Sequence, residues 1–115
     1  MAEERIPDRW RQQVVAILAE GHYSGRIEVS RRAFLDFQAL FPGAFPSDMY
    51  EAFINALSGS DVFGRRVRGM SPEGETYAFI FVHLRKRVYG KVCLTVDGRV
   101  VVIFSAHGPL KGETA

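Results

Sequence analysis

Two pairs of polar side chains stand at the ends of two β-forming segments in the second half of the chain. Tyr89 and Lys91 lie two residues apart in VYGKVCLTV, and Ser105 and His107 lie two residues apart in VVVIFSAH. Residues two apart on a strand share one face of a sheet, because successive side chains alternate. The Asp97-Gly98 dipeptide between the segments is a strong hairpin signal, so the pattern predicts that the two pairs meet across a hairpin.

The turn permits two registers, with different consequences for these side chains. A two-residue loop pairs Val96 with Arg99 and puts Tyr89 and His107 on opposite faces. A three-residue loop pairs Val96 with Val100 and makes Tyr89 and His107 direct neighbours. We prefer the three-residue loop, because a slip by one residue would move Arg99 onto an otherwise apolar face. The other pairs expected in this register are Leu94 with Val102, Val92 with Phe104, Cys93 with Ile103, and Lys91 with Ser105.

A tyrosine, a lysine and a histidine near arginines, with no carboxylate among them, suit the cleavage of RNA without a metal or another cofactor. The 2′-hydroxyl of RNA can attack its own phosphate if a base removes its proton and an acid protonates the leaving oxygen. His107 or Tyr89 is expected to move these protons. Lys91 and an arginine are expected to stabilise the developing negative charge. Aromatic side chains on such a sheet face also stack on splayed bases.

Basic residues are concentrated in the β-rich half of the chain. Residues 61–115 hold nine Arg/Lys and five Asp/Glu, a net charge of +4, whereas residues 1–60 hold six and eight, a net charge of −2. This excess indicates a polyanionic partner, and the alternative, that the charges only solvate the surface, stays open. The residues predicted to bind RNA phosphates are Arg66, Arg68, Arg85, Lys86 and Arg87.

The sequence pattern changes from helical to alternating near residue 62. Apolar residues at helical spacing predict helices over residues 7–20, 31–40 and 48–57, with Ser30 and Ser47 as N-caps of the second and third. Alternating segments predict strands over 62–70 and 76–84 in addition to the hairpin, and a short strand fits RIEV at 26–29. The predicted fold class is α+β, with the helices on one face of a three- to four-stranded antiparallel sheet.

The composition is that of one globular domain over residues 1–115, with 47% hydrophobic residues. The single cysteine, Cys93, excludes an internal disulfide and zinc sites built on paired cysteines. The first ten residues carry no apolar segment of the signal-peptide kind, and no apolar run reaches the length of a membrane span. We therefore expect a cytoplasmic protein without a membrane partner, with flexible ends at 1–6 and 108–115.

Four segments of this chain resemble the MqsR-type toxins of bacterial toxin–antitoxin systems, which are relatives of the RelE and HigB ribonucleases. These segments are INALSGSDVFGRRV, TYAFIFV, VYGKVCLTV and VVVIFSAH. The shared pattern is a small helical part, an I-x-x-L-S-x-S-D turn, a V-Y-x-K strand and a final V-x-x-S-F strand with a basic end. The resemblance extends over residues 11–107, and its motifs are short.

The resemblance implies an mRNA interferase that cuts single-stranded RNA without a metal and is silenced by a cognate antitoxin. The family tyrosine falls on Tyr89, the lysine two residues on falls on Lys91, and the lysine after the S-D turn falls near Arg65. The lysine near the end of the pattern falls on His107, the residue kind that other RelE-like relatives use. The family glutamine falls near Thr76, which lacks an amide.

Two other interpretations stay open from the sequence. The chain is either a non-catalytic interaction module, such as a phage-encoded inhibitor or an immunity-type factor, or a nucleic-acid-binding protein without cleavage. The first would use a sheet edge or an exposed apolar surface, for which FPGAFP at 41–46 is a candidate, and a large symmetric interface in a homodimer would favour it. The second predicts an affinity that falls steeply with salt.

Overall fold

The computed structural model of the chain describes residues 3–110. Three helices lie within this range: α1 (Asp8–Glu20), α2 (Arg31–Leu40) and α3 (Pro46–Leu57). The strands are β1 (Glu4–Arg5), β2 (Ile27–Val29), β3 (Phe63–Val67), β4 (Gly74–His83), β5 (Lys86–Thr95) and β6 (Val101–His107). None of the helices in this part of the chain is long and apolar enough to cross a membrane.

The strands form one six-stranded sheet in the order β1-β3-β4-β5-β6-β2. Strand β2 runs parallel to β6, and the other neighbouring strands are antiparallel. The α+β class and the helices packed on the sheet are confirmed. The expected three or four antiparallel strands are corrected to six in a mixed sheet, because β1 and β2 from the helical half add one strand to each edge.

All three helices pack on the same face of the sheet. The rings of Trp10 from α1 and Tyr77 from β4 lie 5.0 Å apart, and those of Phe53 from α3 and Phe79 lie 5.9 Å apart. On α2, Phe37 is fully buried in the core that these residues share. Apolar burial between the helices and this face is the main source of stability. The opposite face is left without a helix among residues 3–110, and we call it the open face.

The first residues described belong to the folded domain, although flexibility was expected over residues 1–6. Glu4 pairs with Gly64, and the side chain of Ile6 is fully buried. Glu4 to Ile6 thus complete the edge of the sheet, and the flexibility of the chain ends stays a prediction. Residues 1–2 and 111–115, which share the expectation of flexible ends, lie outside the described residues.

The N-termini of α2 and α3 are built in different ways. Ser30 caps α2 as predicted, because its hydroxyl accepts a hydrogen bond from the Ala33 amide at 3.0 Å. Helix α3 begins at Pro46, two residues earlier than expected, so Ser47 lies inside its first turn and is not the cap. Instead, the Phe45 amide donates to the Asp48 carboxylate at 2.7 Å, which ties the start of the helix to the chain before it.

The β5–β6 hairpin combines both registers that the sequence permits. Next to the turn, Leu94 pairs with Val101 and Val92 with Ile103, as a two-residue loop would require. The expected partners Val102 and Phe104 for these residues are therefore wrong, as is Ile103 for Cys93. A bulge between Lys91 and Val92 then shifts the register by one residue. Beyond the bulge, the expected pairs are confirmed: Lys91 with Ser105, and Tyr89 with His107.

Side chains at the turn hold the start of this hairpin. The Asp97 carboxylate accepts hydrogen bonds from the Thr95 hydroxyl at 2.7 Å and from the Arg99 amide at 3.0 Å. These two bonds, the first above all, lower the pKa of Asp97. The Thr95 amide donates to the Val100 carbonyl at 3.0 Å, so the loop between them spans four residues. Because this loop has four residues, neither the two-residue nor the three-residue turn describes the hairpin.

Candidate active site on the open face

Strand pairing brings the predicted catalytic residues into two adjacent rows on the open face. One row crosses the sheet from β3 to β6 through residues that are paired in turn: Arg65, Ala78, Lys91 and Ser105. The next row contains Ile80, Tyr89 and His107. Tyr89 and His107 belong to this face because Gly90, between Tyr89 and Lys91, faces Phe53 on the helical side.

The phenol ring of Tyr89 and the imidazole of His107 are stacked. Their centroids lie 5.1 Å apart, with 16° between the ring planes. Tyr89 is only 5% exposed, so its ring is occupied by protein contacts and offers no free face to a base. Tyr89 is therefore not available for the base stacking that was expected of aromatic residues on this face.

Arg65 approaches the other end of the tyrosine side chain. Its Nη2 donates to the Tyr89 hydroxyl at 3.4 Å, a long hydrogen bond between partly buried groups. A guanidinium at this position places a permanent positive charge beside the phenol oxygen. Arg65, Tyr89 and His107 thus form one continuous contact on the open face, and we call these three residues the Tyr–His–Arg cluster.

A hydrogen bond orients the His107 ring. Its Nδ1 lies 2.8 Å from the Gly108 carbonyl oxygen. A carbonyl only accepts, so Nδ1 carries a hydrogen and Nε2 is the ring nitrogen that gains or loses a proton. Nδ1 is therefore the nitrogen that orients the ring.

Lys91 lies beside the Tyr–His–Arg cluster. It is half-buried between Ala78 and Ser105, and no ion pair joins it to another residue in the described part of the chain. A half-buried ammonium group without a carboxylate partner is available to an anion. All four residues predicted to be catalytic (Tyr89, His107, Lys91 and Arg65) therefore lie on one face.

A cleft of about 380 Å³ adjoins His107 on the side of α2. Its wall includes Ser105 and Phe104 from β6, and Arg32 and Asp36 from α2. The Arg32 Nε lies 3.1 Å from an oxygen of Asp36, so the carboxylate at this site is paired with a cation. Sequence reasoning missed this contribution of α2, since nothing in the hairpin sequence indicates which helix ends near His107.

Arg65 does not share its face of the sheet with the arginine that follows it. Arg66 pairs with Tyr77 on the helical side, and its guanidinium carbon lies 5.7 Å from the centre of the Tyr77 ring. Arg68 and Arg66 line a separate groove of about 750 Å³ at the far end of the sheet, together with Glu73 and Glu75. The structure therefore places Arg66 and Arg68 away from the Tyr–His–Arg cluster.

The basic run at 85–87 is divided in the same way. Leu84 and Arg85 form the β4–β5 turn with positive φ angles of 47° and 70°. Lys86 faces the helices, where its Nζ donates to the Leu40 carbonyl at 2.6 Å and so closes the end of α2. Arg87 is two residues before Tyr89 and lies on the open face opposite Val82. Of the five predicted RNA-binding residues, Arg87 is the one that shares a face with Tyr89.

Phe63 is a candidate that the sequence reasoning did not select. It lies two residues before Arg65 on β3, so it shares the open face, and it is 50% exposed. An exposed aromatic ring next to cationic groups can stack on a base. The sequence VFGRRV could have predicted this position, because alternation along a strand puts Phe63 and Arg65 on one face and Arg66 on the other.

Thr76 stands where the family resemblance requires a glutamine. The side chain is buried, and its hydroxyl oxygen has no hydrogen-bond partner among the described residues. Its strand neighbours are Val67 and Cys93, which places it one row further along the open face than Arg65. It therefore offers no amide to the Tyr–His–Arg cluster, and we assign it no role there.

Comparison of this chain with protein-family models, with curated proteins and with solved structures found no match. The resemblance to MqsR-type toxins thus rests on the four sequence segments alone. The geometry of the open face is the independent basis for a functional proposal.

Proposed function

We propose that this protein is a metal-free endoribonuclease that cleaves single-stranded RNA on the open face of its sheet. The observation that carries the proposal is the Tyr–His–Arg cluster, in which a proton-transfer group and a permanent cation contact the same tyrosine. The cleft beside His107 adjoins this cluster, and we take it as the place where the RNA strand binds. The cytoplasm, where mRNA is found, is the proposed location.

In the proposed reaction, the 2′-oxygen of a nucleotide attacks the adjacent phosphorus and the bond from phosphorus to the 5′-oxygen breaks. His107 Nε2 is the proton-transfer atom, because Nδ1 is held by the Gly108 carbonyl. The 2′-hydroxyl proton leaves as the new bond forms, and a proton reaches the departing 5′-oxygen. The products are a 2′,3′-cyclic phosphate and a free 5′-hydroxyl, so no external water or oxidant is consumed.

The cations supply electrostatic stabilisation. Negative charge grows on the non-bridging phosphate oxygens during attack, and groups fixed in advance near that position lower the barrier most. Arg65 is held in place by its hydrogen bond to the Tyr89 hydroxyl. Lys91 lies in the same row of the sheet as Arg65, on β5, with β4 between them. Tyr89 acts in this scheme by holding both Arg65 and His107 in place, and its hydroxyl proton can bond to a phosphate oxygen.

The sequence resemblance supplies the proposed biological setting. MqsR-type toxins are held silent by an antitoxin, so we propose a cognate antitoxin protein as the partner of this chain. The tyrosine and the lysine of the V-Y-x-K pattern lie on the open face, as a shared mechanism requires. The substitution of histidine for the last family lysine leaves a residue that transfers protons more readily near neutral pH.

The decisive experiment is cleavage of a short single-stranded RNA by the purified chain in the presence of EDTA. Wild type is expected to release a 2′,3′-cyclic phosphate, and an RNA with a 2′-O-methyl group at the cleaved position should stay intact. His107→Gln should reduce the rate roughly 100-fold or more, as expected for loss of a general acid or base. Tyr89→Phe keeps the ring stack and removes the hydroxyl, so it should also slow cleavage.

Tyr23→Phe is the matched control, since Tyr23 is fully exposed and is not a member of the Tyr–His–Arg cluster. Growth arrest on expression should follow the same order as the cleavage rates. Cleavage that is equally fast in wild type, His107→Gln and Tyr89→Phe would refute the assignment of this site.

A non-catalytic interaction module is the second candidate, and exposed apolar side chains favour it. Val82 and Leu84 are both exposed at the β4–β5 turn, and Phe45 in the FPGAFP segment is exposed as well. Such side chains often mark a surface that another protein covers. Absence of RNA cleavage and of growth arrest in wild type would favour this function over the first.

A further inference from the structure

A second concave site lies on the helical side of the sheet, between β2 and the helices α2 and α3. Its volume is about 430 Å³, within the range typical of small-molecule sites. It does not include any member of the Tyr–His–Arg cluster. The lining residues that bear on binding are His22, Val29, Arg31, Phe34, Leu35 and Tyr50.

Most of this lining is apolar, and two of its polar side chains are already used by the protein. The Ser30 hydroxyl donates to the Phe104 carbonyl at 3.1 Å and caps α2. The Gln38 amide donates to the Ala44 carbonyl at 3.1 Å. These bonds leave the walls formed by Val29 and Phe34 to contact a ligand mainly through hydrocarbon surface.

One polar pair, His22 and Tyr50, belongs to the lining. The Tyr50 hydroxyl lies 3.2 Å from His22 Nδ1, and Tyr50 is only 3% exposed. Burial raises the pKa of Tyr50, so its hydroxyl stays protonated at neutral pH. A buried hydroxyl and an imidazole provide hydrogen-bonding groups inside an otherwise apolar site.

The charge of the lining has one sign. Arg31 is exposed in the first turn of α2, and no residue of the lining is a carboxylate. Arg31 has no ion pair with another described residue, whereas the next residue, Arg32, pairs with Asp36 at 3.1 Å. An unpaired guanidinium beside an apolar cavity is complementary to a carboxylate attached to a hydrocarbon body.

We propose that this cavity binds a small amphiphilic carboxylate, whose apolar body lies between β2, α2 and α3 and whose carboxylate pairs with Arg31. The apolar part is expected to contact Val29, Phe34 and Leu35. The proposal is independent of the proposed nuclease function, because its residues and its face of the sheet are different. Its test measures binding, and RNA cleavage is not a readout.

The test uses octanoate as the probe, with octylammonium and octanol as matched compounds that differ in charge. NMR titration of the full chain should show saturable shifts at Val29, Phe34 and Met49, with octanoate binding tighter than either matched compound. Arg31→Gln should weaken octanoate binding roughly two- to fivefold, the range for an exposed ion pair. Arg31→Glu should reverse the preference in favour of octylammonium.

Two controls separate binding from folding. Arg99→Gln removes an exposed charge at the hairpin turn and should leave octanoate affinity unchanged. Leu35→Asp places a carboxylate at the rim, where Leu35 is 49% exposed, and should abolish binding, whereas Leu84→Asp at an exposed turn should not. Far-UV circular dichroism checks that every variant is folded. Equal affinity for octanoate and octanol, or no saturable shift with octanoate, would overturn the proposal.

Discussion

The stacked rings of Tyr89 and His107 face each other because a bulge shifts the register of the hairpin between them and the turn. If the pairing of Leu94 with Val101 continued without the bulge, Tyr89 would lie opposite Ala106. The extra residue on β6 moves His107 into that position instead. Bulges commonly redirect side chains next to functional sites, and this one assembles the Tyr–His–Arg cluster.

Arg65 is expected to contribute to the rate of RNA cleavage more than to RNA affinity. It contacts Tyr89 and places a fixed positive charge beside the tyrosine hydroxyl. Arg65→Gln should lower kcat about 100-fold, the usual effect of removing one group that stabilises developing negative charge, with KM little changed. Steady-state kinetics on a short RNA gives both values, and Arg99→Gln controls for the loss of one positive charge. A change in KM alone would contradict this role.

Phe63 is expected to bind a base by stacking. Its ring is half exposed on the open face, near the row that contains Tyr89. In a His107→Gln background, Phe63→Ala should weaken RNA binding by about 1–3 kcal/mol, the range for one base stacked on an aromatic ring. Fluorescence anisotropy with a labelled RNA measures this loss. Phe45→Ala removes another exposed phenylalanine, from the loop before α3, and should leave the affinity unchanged.

The helices could be predicted from the sequence because the residues that determine a helix are close to one another in the chain. Apolar residues at helical spacing and the cap Ser30 place α2 at the residues where it is found. Strands β1 and β2 contain too few residues to show alternation, and their partners, β3 and β6, are distant in the sequence. The parallel pairing of β2 with β6 therefore depends on tertiary packing, which no local pattern reports.

The site was only partly predictable, for a similar reason. The Asp97-Gly98 signal fixes a hairpin but leaves its register open, and both registers occur on either side of the bulge. The pairing of Tyr89 with His107 was expected from a turn that the protein does not use. The separation of Arg66 from Arg65 could have been predicted, since alternation along β3 is sufficient to put them on opposite faces.

Ser30 is expected to stabilise both α2 and the hairpin. Its hydroxyl accepts from the Ala33 amide and donates to the Phe104 carbonyl next to the bulge. Ser30→Ala should lower the free energy of unfolding by about 1–2 kcal/mol, since a cap and a second hydrogen bond are lost together. Urea denaturation measures the change. Ser47→Ala is the matched control, because Ser47 lies inside the first turn of α3, and a loss as large as that of Ser30→Ala would contradict the assignment of the caps.

Gly64 is expected to be required by the close approach of β3 to β4. A Cβ atom at this position would lie 2.4 Å from the Ala78 carbonyl oxygen and 2.9 Å from Ile6 Cδ1. A backbone oxygen cannot move aside without disturbing the sheet, so Gly64→Ala should destabilise the protein by about 2 kcal/mol or more. Thermal denaturation gives the comparison with Gly59→Ala, whose new methyl would meet nothing closer than Val62 Cγ2 at 3.8 Å. Equal stability of the two variants would show that the edge strand is not held this closely.

Arg11 is expected to be the most important polar residue for the stability of the fold. Its side chain is 7% exposed and donates to the carbonyls of Leu57, at 2.9 Å, and of Gly59, and it also pairs with Asp8. These bonds tie α1 to the end of α3. Arg11→Met fills similar volume but leaves the buried Leu57 carbonyl without its donor and removes the pair with Asp8, so we expect a loss of about 3 kcal/mol in the free energy of unfolding.

The matched variant Arg32→Met removes an exposed arginine that pairs with Asp36 across one helical turn. Its cost should stay below about 1 kcal/mol, because solvent weakens such a pair. Urea denaturation of both variants tests the difference, and the slope of unfolding free energy against urea should match that of wild type. If Arg11→Met cost no more than Arg32→Met, water would have to satisfy the carbonyls of Leu57 and Gly59, and the contact between α1 and α3 would depend on apolar packing alone.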